Sequence, residues 1–261
     1  MSGPQAAPGP GDPGALTGSD FWDDFWKKTV LPVLPDRAKS YERCYIDLFE
    51  RHFSSAPGAA RTVFEAGCAP GMWLAWFHMR FGYLPYGCDI SPRGMALTEE
   101  NLRLCGVAGK VEACDLFSYK TEKPFDVVLS IGFIEHFDDP GQALARQVEL
   151  LAPGGTLAVS VPNLTGLNAW LTRPDFLAAH NTSVMNRPYF EGFAARAGLE
   201  TLFLDYIGGF EPDLVGPERP AYLKRGVLKA LRLLRRLPGA GRLDSPLWSA
   251  FLVGLFRKPL A

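Results

Sequence analysis

The stretch 61–71 most constrains the fold, because a strand, a glycine turn and the start of a helix follow one another within it. The β-branched and aromatic run 62–64 predicts a short buried strand. Gly67 and Gly71 bracket a tight turn, and an apolar helix follows. Such a unit presents backbone groups to a ligand, and an acid at the strand end, Glu65, favours a cationic or zwitterionic ligand. Taken alone, the turn also fits an ordinary β–α turn of a parallel sheet.

Four more strand candidates follow in the order of a doubly wound sheet. The second candidate ends at Asp89, about 20 residues beyond the turn, where a ribose-binding carboxylate belongs. The third ends at Asp115. The fourth covers 125–131 and the fifth covers 155–161, after a predicted turn at 152–154. Helical patterns between them predict the crossover connections of a parallel sheet.

These stretches resemble the class I S-adenosylmethionine (SAM)-dependent methyltransferases. The resemblance covers roughly 61–162 and implies an α/β, Rossmann-like fold, with helices on both faces of a seven-stranded sheet. The implied strand order is 3-2-1-4-5-7-6, with the last strand antiparallel, and the implied cofactor is SAM, with S-adenosylhomocysteine (SAH) as product. The matching segments are Glu-Ala-Gly-Cys-Ala-Pro-Gly, Gly-Cys-Asp-Ile-Ser, Ala-Cys-Asp-Leu-Phe, Phe-Asp-Val-Val-Leu-Ser-Ile-Gly-Phe-Ile-Glu-His-Phe and Leu-Leu-Ala-Pro-Gly-Gly-Thr-Leu.

The resemblance also implies roles for individual residues. Glu65 would stabilise the cationic methionine end of SAM, and Asp89 would accept hydrogen bonds from both ribose hydroxyls. Asp115 would accept from the adenine amine. For each acid alone, a helix N-cap or a surface turn is an equally good interpretation. The full predicted cofactor-binding set is Glu65, Gly67, Cys68, Gly71, Asp89, Ile90, Asp115, Leu116, Ile131 and Gly132.

Two histidines are candidates for the base that takes a proton from a hydroxyl acceptor. His136 follows the fourth strand and His180 lies in the loop region after the fifth, and imidazole suits this chemistry. A structural histidine is the alternative interpretation. The pair Glu135-His136 resembles the Glu-His of ubiquinone-biosynthesis O-methyltransferases, in which an acid three residues before the Glu helps to bind a divalent metal. Gly132 holds that position here, so we expect no metal.

The chain divides into three predicted parts. Residues 1–18 are mostly Gly, Pro and Ala and are expected to be disordered. Residues 19–54 are predicted to form a helical lid, in which aromatic residues are paired at i, i+4 spacing. Residues 55–261 are predicted to form the SAM-binding domain. Packing onto the core is the alternative for the aromatic residues. Candidate lid and substrate contacts are Trp22, Trp26, Tyr41 and Asn181.

Charge is segregated along an otherwise nearly neutral chain. The net charge is −1, which gives no general attraction to nucleic acid. Between 219 and 242 there are eight Lys/Arg and no acid, and 221–237 predicts a basic amphipathic helix. Its basic face is either the solvated side of a packing helix or a patch for an anionic membrane or a phosphorylated carrier.

The cellular location is predicted from absent signals and from cysteine usage. The five cysteines form no C-x-x-C pair and are expected to be free thiols. No run approaches the ~18 apolar residues that a spanning helix needs. We therefore expect a cytoplasmic protein, with a peripheral position at a membrane as the alternative.

The sequence as a whole predicts methylation of a small-molecule hydroxyl, on a secondary metabolite or a sugar or glycan precursor. The composition, rich in Ala, Gly, Pro, Leu and Arg, suits a GC-rich bacterial gene. One alternative is an RNA ribose 2′-O-methyltransferase, because Ala-Pro-Gly-Met-Trp resembles the first motif of that family. Its catalytic lysines are not matched beside Asp126 or Asp138. The other alternative is a non-catalytic SAM-fold binding protein.

Overall fold

A computed structural model describes residues 14–55, 61–211, 226–227, 229–231, 233 and 244–260. They contain a seven-stranded sheet in the order β3-β2-β1-β4-β5-β7-β6, which confirms the predicted topology. Strands β1 to β5 pair in parallel, and β7 is antiparallel to both β5 and β6. The strands are β1 Thr62–Ala66, β2 Leu84–Asp89, β3 Lys110–Ala113, β4 Phe125–Ile131, β5 Leu151–Pro162, β6 Glu200–Phe210 and β7 Ser249–Arg257.

Helices cover both faces of this sheet. Short 3-10 turns lie at Trp26–Lys28, Ile134–His136 and Thr182–Val184. The α-helices are α1 Ser19–Phe25, α2 Ser40–His52, α3 Met72–Phe81, α4 Pro92–Leu104, α5 Pro140–Glu149, α6 Gly166–Leu171, α7 Pro174–Ala178 and α8 Arg187–Ala197.

The hydrophobic core lies in two layers, one on each face of the sheet. Successive residues of a strand point to opposite faces, so Val63 packs in one layer and Phe64 in the other. Both are fully buried. A sheet covered on both sides explains why its strands are continuous apolar runs rather than alternating patterns.

The first crossover is tight because of one glycine. Gly71 precedes α3 with a φ of 80°, in the left-handed region. A Cβ at this position would lie 2.9 Å from Cγ2 of Thr98 on α4. The predicted turn glycine therefore lets α3 and α4 approach each other.

Several strand and helix boundaries in the structure differ from the predicted ones. The predicted turn 152–154 lies inside β5, which begins at Leu151; the pairing with β4 shifts register there. The third strand ends before Asp115. Helix α7 was not predicted.

The predicted helical lid 19–54 has two structurally different parts. Helix α2 belongs to the core: Phe49 is fully buried and its ring centroid lies 5.3 Å from those of Trp73 and Phe77 on α3. Helix α1 has no buried residue. Only α1 and the following 3-10 turn are therefore placed as a cover.

Only the last residues of the predicted disordered segment 1–18 lie in the described part of the chain. Residues 14–18 are placed: Ala15 bridges to Phe137, and the Leu16 amide donates to the His136 carbonyl at 2.8 Å. Backbone pairing with a distant loop orders this segment, and composition alone could not reveal it. The rest of the tail, 1–13, lies outside the described residues.

Most of the predicted basic helix 221–237 also lies outside the described residues. The placed positions 226–227, 229–231 and 233 are helical, and Leu231 packs against Leu171 of α6. Within the described ranges, no helix combines the length and the apolar character needed to cross a bilayer.

Candidate active site

A cavity of about 350 Å³ opens where β1, β2 and β4 end. Open parallel sheets bind ligands at this edge. The glycine turn, the ends of β2 and β4, the segment after β3, α1 and α7 all contribute to its wall. Of the predicted residues, those lining the cavity are Trp22, Trp26, Gly67, Asp89, Ile90, Asp115, Leu116, Ile131, Gly132, His136 and His180.

Asp89, the last residue of β2, is held in place by two backbone donors. One carboxylate oxygen accepts from the Ser91 amide at 2.8 Å and the other from the Ala69 amide at 3.1 Å. Burial raises the pKa of this carboxyl. Each oxygen has two lone pairs, so the carboxylate can accept two further hydrogen bonds from a ligand.

Asp115 and Leu116 lie beside Asp89 in the cavity wall. Asp115 is exposed and accepts from the Phe117 amide at 2.7 Å. Leu116 is buried. A polar acceptor next to an apolar side chain can bind the edge and the face of a flat heterocycle.

The glycine turn differs from the prediction in its hydrogen bonding. The amides of Gly67 and Cys68 both donate to the Cys88 carbonyl, at 2.9 and 3.1 Å. Their N–H groups are therefore engaged with β2 and not directed at a ligand. A Cβ on Gly67, whose φ is 67°, would lie 2.6 Å from the Phe133 ring, so only glycine fits here.

Three predicted cofactor residues do not line the cavity. Cys68 is buried against Met95, and Gly71 packs on Thr98. Glu65 is 5% exposed, and its Oε2 is buried with no partner among the described residues. Burial, with the charge of Asp89, raises the pKa of Glu65 well above its usual range. The Glu65 carboxyl is therefore enclosed and does not reach the cavity.

His136 has a defined tautomer. It is buried, and its Nδ1 lies 3.0 Å from the Ala179 carbonyl. A carbonyl can only accept, so Nδ1 carries the proton and Nε2 keeps its lone pair. Burial, reinforced by His180, lowers the pKa of His136 to about 4. The imidazole is therefore neutral at physiological pH.

His180 is the partner of His136. The two ring centroids are 4.6 Å apart, and Nδ1 of His180 lies 2.7 Å from the Phe176 carbonyl. Burial lowers the pKa of His180. The structure thus brings both predicted bases together, each with Nδ1 bound to backbone.

Glu135 is a cavity residue whose position the sequence did not reveal. It is 1% exposed, its Oε2 lacks a partner among the described residues, and burial raises its pKa to about 8. Glu135, His136 and His180 each offer a ligand atom within 4.8 Å of the others. Two imidazoles and a carboxylate can hold a divalent metal. The expectation of a metal-independent reaction stays a prediction.

Helix α1 places an aromatic ring against His136. The Trp22 ring lies edge-on to His136, with centroids 4.9 Å apart. Trp26 also lines the cavity, and its Nε1 is buried with no partner among the described residues. Phe21 and Phe25, also on α1, line the same cavity. The i, i+4 aromatic spacing is the sequence signal for this wall.

Two predicted substrate contacts have other roles. Tyr41 does not line the cavity; its ring packs 6.5 Å from Phe251, which does. Asn181 donates through its side chain to the carbonyls of Phe137 and Asp138, at 3.1 and 3.2 Å. Asn181 therefore clamps the loop that carries His136 and does not reach the cavity.

Comparisons with known proteins agree with this geometry. A family model described as a methyltransferase domain matches residues 37–203. The ubiquinone biosynthesis O-methyltransferase of Caulobacter vibrioides is 28% identical over 151 residues, which are 56% of this chain and 60% of that protein. The chain thus spans less than two thirds of the length of that curated relative.

Solved structures share the fold at low identity. The [4+2]-cyclase SpnF superposes with a TM-score of 0.62 at 12% identity, covering 97% of this chain and 98% of that one. The N-methyltransferase NodS from Bradyrhizobium japonicum, solved with SAH, has a TM-score of 0.54 at 18% identity and covers 94% and 95%. With the family match over most of the chain, these findings show that the protein belongs to the class I SAM-dependent methyltransferases.

Proposed function

We propose that this SAM-dependent methyltransferase methylates a hydroxyl group of a small molecule, with His136 as the base. The observation that carries the proposal is one cavity in which Asp89, at the end of β2, and the neutral imidazole of His136 both lie. The Asp89 carboxylate can accept hydrogen bonds from ribose hydroxyls, and the imidazole can accept the proton of an acceptor hydroxyl.

The residues of the cofactor end fit SAM. Asp89 has lone pairs for both ribose hydroxyls, and Asp115 and Leu116 suit the adenine. When bound, SAM supplies an electrophilic methyl group on a sulfonium and leaves as the neutral thioether SAH. The chain itself supplies orientation, which is the main requirement for such a displacement.

Proton removal falls to the histidine pair. The hydrogen bond to Ala179 fixes the His136 ring, so the Nε2 lone pair is the available acceptor for the hydroxyl proton. His180 lies beside His136, with the ring centroids 4.6 Å apart. We assign His136 as base and His180 as the second candidate.

The described residues favour a small acceptor over RNA. The cavity lining contains no lysine or arginine within the described part of the chain, whereas RNA binding relies on basic side chains. The aromatic cover over His136 also narrows the approach. We therefore propose a secondary metabolite or a sugar or glycan precursor as the acceptor.

The function is tested with SAM carrying a deuterated methyl group. The purified protein is incubated with this SAM, excess EDTA and a bacterial metabolite extract, and products are searched by mass spectrometry for a labelled methyl group. We expect a labelled ether, lost with His136→Ala. If the protein binds SAH but labels no product, the non-catalytic alternative holds. If labelling requires an added metal, the prediction of a metal-independent reaction is contradicted.

A separate proposal concerns the predicted basic helix 221–237, which lies within a stretch, 219–242, of eight Lys/Arg and no acid. We propose that it contacts an anionic membrane or a phosphorylated carrier. The test changes Arg225, Lys229, Arg232 and Arg236 to Gln and measures sedimentation with anionic liposomes. Each basic residue is worth ~1 kcal/mol near such a surface. Failure of the unmodified protein to sediment at low salt excludes the membrane version.

A further inference from the structure

The segment after β3, residues 115–119, carries the two residues assigned to the adenine, and it follows a weak strand. Asp115 and Leu116 line the cavity. Strand β3 has only four residues, none of them buried, and it lies at the edge of the sheet. A short strand with few buried contacts constrains the chain that follows it only weakly. The position of 115–119 therefore depends on contacts with other elements.

The segment 115–119 forms a turn that is bonded to itself through Asp115. The carboxylate of Asp115 accepts from the Phe117 amide at 2.7 Å. Its carbonyl accepts from the amides of Ser118 and Tyr119, at 3.1 and 3.0 Å. These bonds fix the shape of the turn and the direction of the carboxylate within it. They do not fix the turn relative to β2, because donor and acceptor belong to the same turn.

Arg146 on α5 connects this turn to the body of the fold. Its Nη2 donates to the Tyr119 carbonyl at 2.5 Å, and its Nε makes a longer bond to the Leu116 carbonyl at 3.4 Å. The two carbonyls lie at opposite ends of 116–119. A guanidinium presents its donors in a rigid fork, so bonds from two of its nitrogens orient the group that they hold. Arg146 therefore fixes both the place and the tilt of the turn.

The arginine acts on the cavity without reaching it. Arg146 does not line the cavity, and its side chain is 23% exposed, with Nη1 donating to Glu149 at 2.8 Å. Leu144 of α5 packs in the same core layer as Leu116 and Tyr119. Helix α5 is thus a firm support, and the guanidinium is its polar link to the turn.

We propose, resting on the proposed function, that Arg146 is a positioning residue for cofactor recognition, which holds Asp115 where it can accept from the adenine amine. The ribose carboxylate, Asp89, is fixed separately by the amides of Ser91 and Ala69. Loss of the guanidinium therefore lets the adenine end of the site shift while the ribose end stays in place. The consequence is a loss of selectivity for adenine rather than a uniform loss of cofactor binding.

The test measures adenine selectivity with two ligands that differ at C6 of the purine. SAH has an amino group there, whereas S-inosylhomocysteine has an oxo group, which cannot donate to Asp115. Each is titrated calorimetrically into the full protein. For the native chain we expect SAH to bind roughly 10-fold or more tightly, because its bond to a carboxylate is charge-assisted. In Arg146→Ala this preference should fall to about 3-fold or less, with the affinity for S-inosylhomocysteine nearly unchanged.

Two controls separate the carbonyl bonds from charge and from the ion pair. Arg103→Ala removes an exposed arginine of α4 that pairs with Glu100, three residues away, as Arg146 pairs with Glu149. Glu149→Gln removes the ion pair of Arg146 and leaves both carbonyl bonds. Both variants should keep the native preference. A loss in Glu149→Gln as large as in Arg146→Ala would contradict the proposal, since the ion pair would then be responsible.

A conservative variant covers the case in which Arg146→Ala does not fold, which its melting temperature reveals. Arg146→Lys keeps the charge and the aliphatic stem but lacks the fork. Its preference for SAH should lie between those of the native protein and Arg146→Ala. A native preference in folded Arg146→Ala, or in Arg146→Lys where the alanine variant does not fold, overturns the proposal.

The two levels of inference fail separately. Equal affinity of the native protein for the two ligands would remove the assignment of Asp115 to the adenine, and absence of SAH binding would remove the proposed function itself. A native preference that survives in Arg146→Ala would remove only the role of Arg146.

Discussion

At the scale of single residues, Asp89 combines two backbone donors with lone pairs that remain for a ligand. Asp89→Asn keeps the shape but removes the charge from the acceptor, and charge-assisted hydrogen bonds are worth ~1.5–3 kcal/mol. We expect SAH affinity to fall roughly 10- to 100-fold by calorimetry. Glu99→Gln, on an exposed face of α4, should leave it unchanged. Unaltered affinity in Asp89→Asn would exclude Asp89 from the site.

The pH dependence of the reaction follows from His136. Burial lowers the pKa of His136 to about 4, so the base is already unprotonated in mildly acidic solution. We expect kcat/KM to show no inflection near 6.5, the value of an unperturbed imidazole. His136→Ala should lower kcat by about 10²–10⁴. A clear inflection near 6.5 in the rate profile would show that this histidine titrates normally.

The buried carboxyl of Glu135 makes the stability of the fold decrease as the pH rises. Burial raises its pKa from 4.5 to about 8. The unfolded chain releases this proton at a lower pH than the folded chain, so stability is lost as pH rises from 4.5 through about 8. Glu135→Gln cannot ionise, and its melting temperature should exceed that of the native protein at pH 8 but not at pH 5.

The expected gain at pH 8 is several degrees, at about 2–4 °C per kcal/mol for a domain of this size. Glu149→Gln is the control, since Glu149 is an exposed partner of Arg146. A gain of equal size at both pH values would contradict the buried ionisation of Glu135.

Sequence pattern located the acids but not the hydrogen bonds around them. Asp89 and Asp115 could be placed because each follows a recognisable strand, and strand ends meet at one edge. The engagement of the Gly67 and Cys68 amides with Cys88 depends on how β1 and β2 are joined laterally. Likewise, the burial of Glu135 is a property of packing between distant segments, which local composition does not encode.

At the scale of elements, α1 is fastened to the start of α4. Asp23 on α1 accepts from the Ser91 hydroxyl at 2.5 Å and from the Arg93 amide at 3.1 Å. The Ser91 amide in turn donates to Asp89. The aromatic cover and the proposed ribose-binding carboxylate therefore share one anchor.

Loss of this anchor should affect substrate binding more than chemistry. In Asp23→Ala we expect KM for the acceptor to rise roughly 3- to 30-fold, with kcat changed less and the melting temperature nearly constant, because exposed polar contacts contribute ~1 kcal/mol. Asp24→Ala, on the same helix and paired only with exposed Lys27 in the described structure, is the control. Equal kinetics in the two variants would show that the Asp23 contacts do not position the cover.

Elements with a strong period were predictable, whereas the short helix α7 was not. Strand β4 has the bounds that its apolar pattern indicates. The five-residue α7 has too few residues for a period, and its Pro174 only marks a first turn. The irregular start of β5 was interpreted as a turn because Pro and Gly usually mark one.

At the scale of the whole molecule, the cavity joins segments from opposite ends of the chain. Residues 14–18 pair with the loop after β4, and Phe251 of β7 reaches the same cavity. The sheet order was accessible because the sequence resembles a family whose strand order is 3-2-1-4-5-7-6, and the structure has that order. The ring-lined side of the cavity, formed by Trp22, His136, His180 and Phe176, was not accessible from sequence. These rings come from segments that only the completed fold brings together.

The most direct measurement is a crystal structure of the protein with SAH. We predict the ribose hydroxyls on the carboxylate of Asp89, the adenine between Asp115 and Leu116, and the sulfur on the side of the cavity that holds His136. SAH bound elsewhere, or with its ribose away from Asp89, would contradict the account.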